Sequence, residues 1–391
     1  MDERKELMLY LHVPFCVRKC NYCDFLSFAC TDETRSRYVD ALCRELRERG
    51  REYSGRIVPS IFFGGGTPSL LSPAQLSKIM DCIRETFCVR ADAEITMECN
   101  PGTVANLSQE QETEKLRGFR AAGINRLSIG LQSANDEELK LLGRIHDYQA
   151  FLKTYAIARE VGFTNVNVDL MNALPGQTLD TWKATLEKVL ALKPMPEHLS
   201  VYSLIMEEGT QFAAWESQGK FEGKLQIPSE ELDREMYAYT GTRLREAGFS
   251  QYEISNYARE GYACQHNVGY WIRKDYLGIG LGAASLIDGV RYSNGTSLEE
   301  YLKDPLAGRE EEILTRSDQI EEFAFLGLRM NCGIRRADFE TSFGEAWDGY
   351  WSEIIRKNVA DGLLEEDAEG IRLTDRGRDL GNYVFSQFLF D

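Results

Sequence analysis

Three cysteines lie close together near the start of the chain, at Cys16, Cys20 and Cys23. Thiolates grouped in this way can bind a metal centre, and iron–sulfur clusters normally take four cysteine ligands. Three closely spaced cysteines with no fourth nearby would hold three irons of a cubane and leave the fourth iron open. The spacing therefore favours a [4Fe–4S] cluster at which a small molecule can chelate.

Zinc is the main alternative for these cysteines. Structural zinc sites take four nitrogen or sulfur ligands, commonly as closely spaced pairs from two segments of chain. The gap between Cys16 and Cys20 does not fit such a pair, no second pair follows, and His12 lies inside a predicted strand. Six other cysteines lie among apolar or helical neighbours and are interpreted as core residues: Cys30, Cys43, Cys82, Cys88, Cys99 and Cys332.

The composition is that of an acidic, folded protein. The 391 residues include 45 Lys and Arg against 62 Asp and Glu, a formal net charge of −17, and 43% are hydrophobic. This charge repels phosphate backbones, so nucleic acid is a poor candidate partner. The charged N-terminus and the short apolar run to Val13 do not fit a signal peptide. We therefore expect a cytoplasmic protein whose cysteines stay reduced.

Short apolar runs alternate with amphipathic stretches over residues 1–205, a pattern that predicts β/α units around a parallel sheet. Six strands are predicted, at Leu7–His12, Ile57–Phe63, Ala93–Glu98, Arg126–Leu131, Asn165–Leu170 and His198–Leu204. The helical segments between them include Arg35–Arg49, Pro73–Phe87, Asp136–Leu142 with Ala150–Val161, and Leu179–Leu192. Six such units make an α/β fold with an incomplete (β/α)6 barrel.

Polar or glycine-rich segments follow most of the predicted strands. The cysteine loop follows the first strand and residues 64–68 follow the second, while Glu98, Gln132 and Asp169 lie at or near the ends of later strands. In a β/α barrel the carboxyl ends of the strands open onto one face, where active sites are built. We therefore expect one pocket to gather these residues.

Two further segments complete the predicted organisation. Residues 206–310 are predicted to form an extension packed on the barrel, with one clear helix at Ser229–Ala247. Residues 311–391 combine helices with a short hairpin, which is typical of a small, mainly helical, winged-helix-like module. Such modules often bind DNA, where phosphate contacts require cations. The predicted wing instead carries acidic residues, at Glu365, Glu366, Asp367 and Glu369.

Seven ordered motifs accompany the cysteines. They are Tyr10-Leu-His12-Val-Pro14-Phe15, Gly64-Gly65-Gly66-Thr67-Pro68, Glu98-Cys-Asn-Pro101, Arg126-Leu-Ser-Ile-Gly130-Leu-Gln132-Ser133, Leu142-Gly-Arg144-Ile-His146, Asp169-Leu-Met-Asn-Ala-Leu-Pro175-Gly176-Gln177-Thr178 and His266-Asn267-x2-Tyr270-Trp271. With the Cys-x3-Cys-x2-Cys spacing, these motifs resemble the oxygen-independent coproporphyrinogen III oxidase group of radical S-adenosylmethionine (SAM) proteins. The resemblance covers most of the chain and implies a [4Fe–4S] cluster and SAM as cofactors.

The resemblance also implies roles for residues of the predicted pocket. Cys16, Cys20 and Cys23 would bind the cluster. The implied SAM contacts are Tyr10, Gly65, Gly66, Thr67, Glu98, Gln132, Arg144 and Asp169. A structural ion-pair ring is the alternative for the charged members, a tight turn for the glycines, and core packing for Tyr10. Radical chemistry would require an external reductant such as a flavodoxin or ferredoxin.

Two departures from the coproporphyrinogen-oxidising enzymes bear on function. Those enzymes carry a fourth cysteine two residues after the third, where this chain has Phe25, and they have an N-terminal extension, whereas nine residues precede Tyr10 here. The chain more closely resembles a sister group of haem chaperones. That resemblance implies that it binds haem as cargo and transfers it to an acceptor, expected to be a membrane respiratory protein reached from the cytoplasmic side. Coproporphyrinogen III dehydrogenase activity is the alternative.

A haem site is expected at the last motif. A neutral imidazole is a common haem axial ligand, so His266 is the candidate ligand, and Tyr270 and Trp271 could line a flat apolar slot. The alternative for His266 is a structural role in the core.

Overall fold

The computed structural model describes residues 4–103 and 107–390. In this part of the chain, most strands join one 12-stranded sheet. Its strands are β1 (Met8–Val13), β2 (Ile57–Gly65), β3 (Cys88–Cys99), β4 (Arg126–Gln132), β5 (Val166–Asn172), β6 (His198–Ser203), β7 (Ser250–Glu253), β8 (Asn256–Ala258), β9 (Tyr276–Ile279), β10 (Ala284–Ile287), β11 (Val290–Ser293) and β12 (Glu310–Ile313). Strands β1 to β6 are parallel and adjacent in chain order, so the predicted incomplete barrel is confirmed.

Ten α-helices lie between or after these strands in the described part of the chain before the C-terminal region. They are α1 (Asp32–Glu52), α2 (Pro73–Thr86), α3 (Gln109–Ala122), α4 (Asp136–Leu141), α5 (Tyr148–Glu160), α6 (Leu179–Leu190), α7 (Gln211–Ser217), α8 (Glu230–Glu246), α9 (Gln265–Trp271) and α10 (Leu298–Lys303). The predicted strands and helices appear with shifts of a few residues at their ends. Within the described chain, no helix combines the length and the apolar character needed to cross a bilayer.

Local sequence signals explain where individual helices begin. Helix α2 has Pro73 at its first position, and the Ser72 and Gln75 side chains form a reciprocal capping box. Helix α3 begins in the same way at Ser108 and Gln111. Helix α3 was not among the predicted helices, because its sequence is mostly polar and Leu116 and Phe119 are its only large apolar residues.

The segment after β6 extends the sheet at both edges. Strands β8 and β7 continue the sheet beyond β6, whereas β9 pairs in parallel with β1 at the opposite edge. Strands β10, β11 and β12 then follow β9 as antiparallel neighbours. The division of the chain at residues 205 and 310 remains a prediction.

The C-terminal region has its own small core. It comprises α11 (Arg316–Gly327), β13 (Ile334–Arg335), α12 (Arg336–Phe343), α13 (Asp348–Ala360), β14 (Leu364–Glu366), β15 (Gly370–Leu373), α14 (Asp375–Asp379) and α15 (Gly381–Ser386). Trp347, Trp351 and Phe339 pack at the centre of this core. The β14–β15 hairpin was predicted, and its Glu365 and Asp367 carboxylates pair with Arg372 at 2.7 and 2.9 Å.

Candidate functional site

A cavity of about 410 Å³ opens at the carboxyl ends of β1 to β6. Its wall includes all three cysteines of the Cys16–Cys23 loop. It also includes seven of the eight residues expected to contact SAM: Gly65, Gly66, Thr67, Glu98, Gln132, Arg144 and Asp169. The structure therefore brings together residues that are up to 153 positions apart in the chain, from Cys16 to Asp169.

The three thiols occupy one side of this cavity. Burial raises the pKa of Cys23 to about 11, and the neighbouring Cys20 and Cys16 also raise it. The Cys16 Sγ lies 3.4 Å from the Thr67 hydroxyl. Among the described residues, no three His, Cys, Asp or Glu side chains converge to hold a single metal ion. A cubane takes each thiolate on a different iron, and bound metal favours the thiolate form.

The six cysteines interpreted as core residues differ in their surroundings. Cys43, Cys82 and Cys99 are buried, and Cys99 also borders the cavity. Cys332, however, is exposed, so the interpretation as a core residue is wrong for it. It lies after α11 in a turn of the C-terminal region, where apolar neighbours along the chain do not produce burial.

Arg144 connects the cysteine loop to the ends of two strands. Its Nη2 donates to the Gly130 carbonyl at 2.6 Å and to Asn100 Oδ1 at 2.8 Å, and its Nη1 lies 3.6 Å from the Cys20 sulfur. The Nε of Arg144 is buried without a hydrogen-bond partner. A fixed guanidinium with a spare donor suits a ligand that carries a carboxylate.

Two half-buried carboxylates, Glu98 and Asp169, lie in the cavity wall. The pKa of Glu98 is raised to about 8. Burial is the main cause, and the nearby Asp169 carboxylate contributes to the same shift. Burial also raises the pKa of Asp169, against the hydrogen bonds that it accepts from Asn167 at 2.7 Å and Ser128 at 3.1 Å. Both groups are acceptors that could receive hydrogen bonds from ligand hydroxyls.

Packing against β1 explains the glycines at the end of β2. Gly65 has φ +102°, and a Cβ there would lie 2.3 Å from the His12 ring. A Cβ on Gly66 would lie 2.8 Å from the backbone of Val13 and Phe15. The turn after β2 therefore requires glycine for close approach of the two strands, while contact with a ligand remains a prediction.

The other two expected SAM contacts differ in position. Gln132 lines the cavity with φ +71°, and its Oε1 accepts a hydrogen bond from the Tyr202 hydroxyl at 3.0 Å. Tyr10 does not border the cavity. Its hydroxyl instead bonds to Nδ1 of His12 at 3.0 Å, and His12 does not line the cavity either.

The last motif lies away from the cavity. His266 is 1% exposed, and its two ring nitrogens bond to the hydroxyls of Ser60 at 2.9 Å and Tyr270 at 3.1 Å. The guanidinium of Arg329 lies 4.4 Å from the Trp271 ring. In this conformation His266 has no nitrogen free to ligate iron. The expectation of a haem ligand there remains a prediction that would require α9 to rearrange.

Several cavity residues were missed by the sequence analysis. Tyr202 and Asn100 contact Gln132 and Arg144, and Tyr22, between Cys20 and Cys23 in the chain, lines the cavity. Two of these were visible in principle, because Asn100 follows Glu98 within a noted motif and Tyr202 lies near the end of a predicted strand. A polar or aromatic residue at the end of a barrel strand was the available signal.

Comparisons with known proteins agree with this geometry. Residues 10–189 match the Radical SAM superfamily, and residues 314–380 match the HemN C-terminal domain. The solved structure of coproporphyrinogen III oxidase (HemN) from Escherichia coli, described as a radical SAM enzyme, has a TM-score of 0.82 and 28% identity, covering 98% of this chain and 90% of that chain. The fold and the site define a radical SAM protein.

Sequence comparison with individual proteins identifies a family within the radical SAM class. The chain is 36% identical to the haem chaperone HemW of Lactococcus lactis, over 98% of this chain and 97% of that protein. It is 36% identical to HemW of Bacillus subtilis, covering 97% and 98%, and 35% identical to HemW of Escherichia coli, covering 98% of each. The chain belongs to the HemW family.

Membership implies a [4Fe–4S] cluster and SAM, and the residues present fit both groups. The cavity wall contains three thiols that can bind iron and the half-buried Arg144 side chain, whose Nε has no hydrogen-bond partner. It also contains the carboxylates of Glu98 and Asp169, whose pKa values are raised by burial. A ligand with a carboxylate at one end and hydroxyls at the other would satisfy these groups.

Proposed function

We propose that this protein is a haem chaperone that holds haem at the mouth of the cluster-bearing cavity and passes it to an acceptor protein. The observation that carries this proposal is Phe25, which is 66% exposed at the cavity wall, two residues after Cys23. Full-length similarity to three haem chaperones supports the same function.

The rim around Phe25 has the chemistry that a tetrapyrrole requires. Ile205 also lines the cavity and is 68% exposed, and Val17 in the cysteine loop is 53% exposed. Exposed apolar side chains grouped at a cavity mouth mark ligand or protein contact sites. Arg18 is exposed at the same wall and could pair with a propionate carboxylate.

The residues deeper in the cavity would bind the two cofactors. Cys16, Cys20 and Cys23 would ligate the cluster, Arg144 would orient a ligand carboxylate, and Glu98 with Asp169, Gln132, Gly65, Gly66 and Thr67 would surround the rest of SAM. Tyr10, which does not line the cavity, would act on the site through its hydrogen bond to His12. When bound, the cluster can supply one electron to SAM.

The partners of this function are also proposals. The acceptor would be a respiratory haem protein at the membrane, which the chaperone would meet peripherally from the cytoplasm. A flavodoxin or ferredoxin would serve as electron donor if radical chemistry occurs. Haem release would then occur at the open rim, since the rim is the part of the cavity that another protein can reach.

A matched pair of isoleucine variants tests the proposed site. Ile205→Ser should weaken haem binding about fivefold, the effect of about 1 kcal/mol of lost apolar contact. Ile313→Ser is the control, because Ile313 is 79% exposed on β12 and does not line the cavity. Haem titration by absorbance measures both. If the two variants bind haem with equal affinity, haem does not bind at the rim that contains Ile205.

Coproporphyrinogen III dehydrogenase is the second candidate, because the HemN structure matches over 98% of this chain. The test is an anaerobic assay of the reconstituted protein with coproporphyrinogen III, SAM and a reductant. We expect no protoporphyrinogen while the cluster remains intact. Turnover would replace the chaperone proposal with the dehydrogenase.

A further inference from the structure

Helix α9 closes the barrel interior at the end opposite to the cavity. Its His266 ring stacks on Phe62 of β2, with ring centroids 5.2 Å apart. Its Gly269 lies directly against β1, because a Cβ there would lie 2.1 Å from the sulfur of Met8. The helix is therefore packed directly against the inner residues of the first two barrel strands.

A buried glutamate fixes the start of α9. The Glu94 carboxylate on β3 accepts hydrogen bonds from the backbone N–H of Gln265 at 3.1 Å and of His266 at 3.2 Å, and from the Cys264 thiol at 3.3 Å. Cys264 itself supplies no side-chain cap. The Glu94 carboxylate of β3 thus accepts hydrogen bonds from the N–H groups at the start of α9, where negative charge is favourable.

The C-terminal region holds α9 from the other side. The Arg329 guanidinium lies over the Trp271 ring, and Arg273, which follows the helix, pairs with Glu322 of α11 at 2.7 Å. Glu322 is 5% exposed. Since α9 is held both by the barrel and by the C-terminal region, the position of His266 is closely fixed.

A continuous set of contacts leads from His266 to the cysteine loop. Phe62, on which His266 stacks, also stacks on Tyr10, with centroids 6.3 Å apart. The Tyr10 hydroxyl bonds to Nδ1 of His12, and Nε2 of His12 bonds to the Leu26 carbonyl at 2.9 Å. Leu26 lies three residues after Cys23. His266, Phe62, Tyr10 and His12 therefore form one series of contacts that ends at the segment after the cysteines.

We propose that His266 is a positioning residue for the cysteine loop, acting through Phe62, Tyr10 and His12, and that it does not ligate haem. The His266 side chain fills the space below Phe62 and keeps Tyr10 in place to orient His12. The His12 ring then holds the loop that follows the cluster cysteines. The inference depends on the cluster that family membership implies and is independent of the proposed haem function.

Two substitutions at His266 separate positioning from ligation. His266→Ala removes both the imidazole and the ring that packs on Phe62, whereas His266→Phe removes the imidazole but keeps an aromatic ring. The measurement is the rate at which the reconstituted protein loses its cluster to a ferrous chelator, followed by absorbance. We expect His266→Ala to lose its cluster about fivefold faster, the effect of weakening by one hydrogen bond, and His266→Phe to lie closer to the wild type.

Two further variants keep the test decisive if His266 variants fold poorly. Tyr10→Phe removes only the hydroxyl that bonds to His12, and it should also speed cluster loss. His198→Ala is the control, since His198 is equally buried, with both ring nitrogens bonded, to Asn167 at 2.6 Å and Tyr252 at 2.9 Å. It should lower the melting temperature without comparable cluster loss.

Haem titration of the same variants completes the experiment. The proposal expects unchanged haem affinity in both His266 variants. It is overturned if both variants lose haem affinity while their clusters are retained, because that result would make the imidazole a ligand. It is also overturned if His198→Ala loses its cluster as fast as His266→Ala. Absence of haem binding by the wild type would contradict the proposed function and leave the cluster comparison intact.

Discussion

The Nη1 atom of Arg144 lies 3.6 Å from the sulfur of Cys20, although the two residues are 124 positions apart. A second loop contact lies beside it, because Arg18 donates to the Gly143 carbonyl at 2.7 Å. The loop that carries the cysteines is thus fastened to the segment after α4. This arrangement places the Arg144 cation beside one of the thiols that would hold the cluster.

Replacement of Arg144 by methionine should weaken SAM binding. Loss of a hydrogen bond between charged groups costs about 1.5–3 kcal/mol, so the dissociation constant should rise by about one to two orders of magnitude. Calorimetric titration of the reconstituted protein measures this change. Arg117→Met, on the exposed face of α3, is the control and should bind SAM like the wild type. Unchanged SAM affinity in the Arg144 variant would remove it from the site.

Replacement of Cys20 by serine should abolish the iron–sulfur absorbance after anaerobic reconstitution, because a hydroxyl is a poor ligand for cluster iron. Cys332→Ser provides the control, since Cys332 is exposed in the C-terminal region. Iron and zinc analysis of both proteins distinguishes the two metals. Stoichiometric zinc with little iron in the wild type would favour the zinc alternative.

The pKa of Glu98 gives the stability a pH dependence. Its folded value, about 8, lies above the ordinary value of 4.5 because of burial and the nearby Asp169. The folded protein therefore keeps a proton that the unfolded chain loses, and this contribution to stability is fully present below about pH 4.5 and is lost as the pH rises toward 8.

Glu98→Gln should remove this dependence. Over that pH interval the free energy of unfolding of the wild-type apoprotein should fall relative to that of the variant, as measured by urea unfolding at several pH values. Glu110→Gln, an exposed substitution on α3, should follow the wild type. Parallel curves for wild type and Glu98→Gln would mean that Glu98 ionises normally.

The sequence predicted the barrel and the gathering of polar residues at one cavity because both depend on local patterns. Each of β1 to β6 is a short apolar run, and cavity residues such as Glu98 and Asp169 lie at the ends of these runs. Parallel strands then bring them to one edge without any long-range information.

Pairing across long chain separations explains what the sequence could not predict. Strands β7 to β12 have only three or four residues each, so their place at the two sheet edges depends on partners far along the chain. The same limit affects His266. Its motif indicated a functional segment, but nothing in the local pattern shows that α9 enters the barrel opposite to the cavity.

Substitution of Glu45 tests how the segment after β9 is held against helix α1. This carboxylate on α1 accepts hydrogen bonds from the Tyr301 hydroxyl at 2.6 Å, Asn294 Nδ2 at 2.7 Å and the Gly280 N–H at 2.9 Å. Glu45→Ala would leave these buried donors without a partner, so we expect a loss of about 3–5 kcal/mol in the free energy of unfolding. Glu48→Ala, exposed on the same helix, should change it by less than about 0.5 kcal/mol. Urea unfolding compares the two, and a similar small effect in both would mean that the extension is held by apolar packing alone.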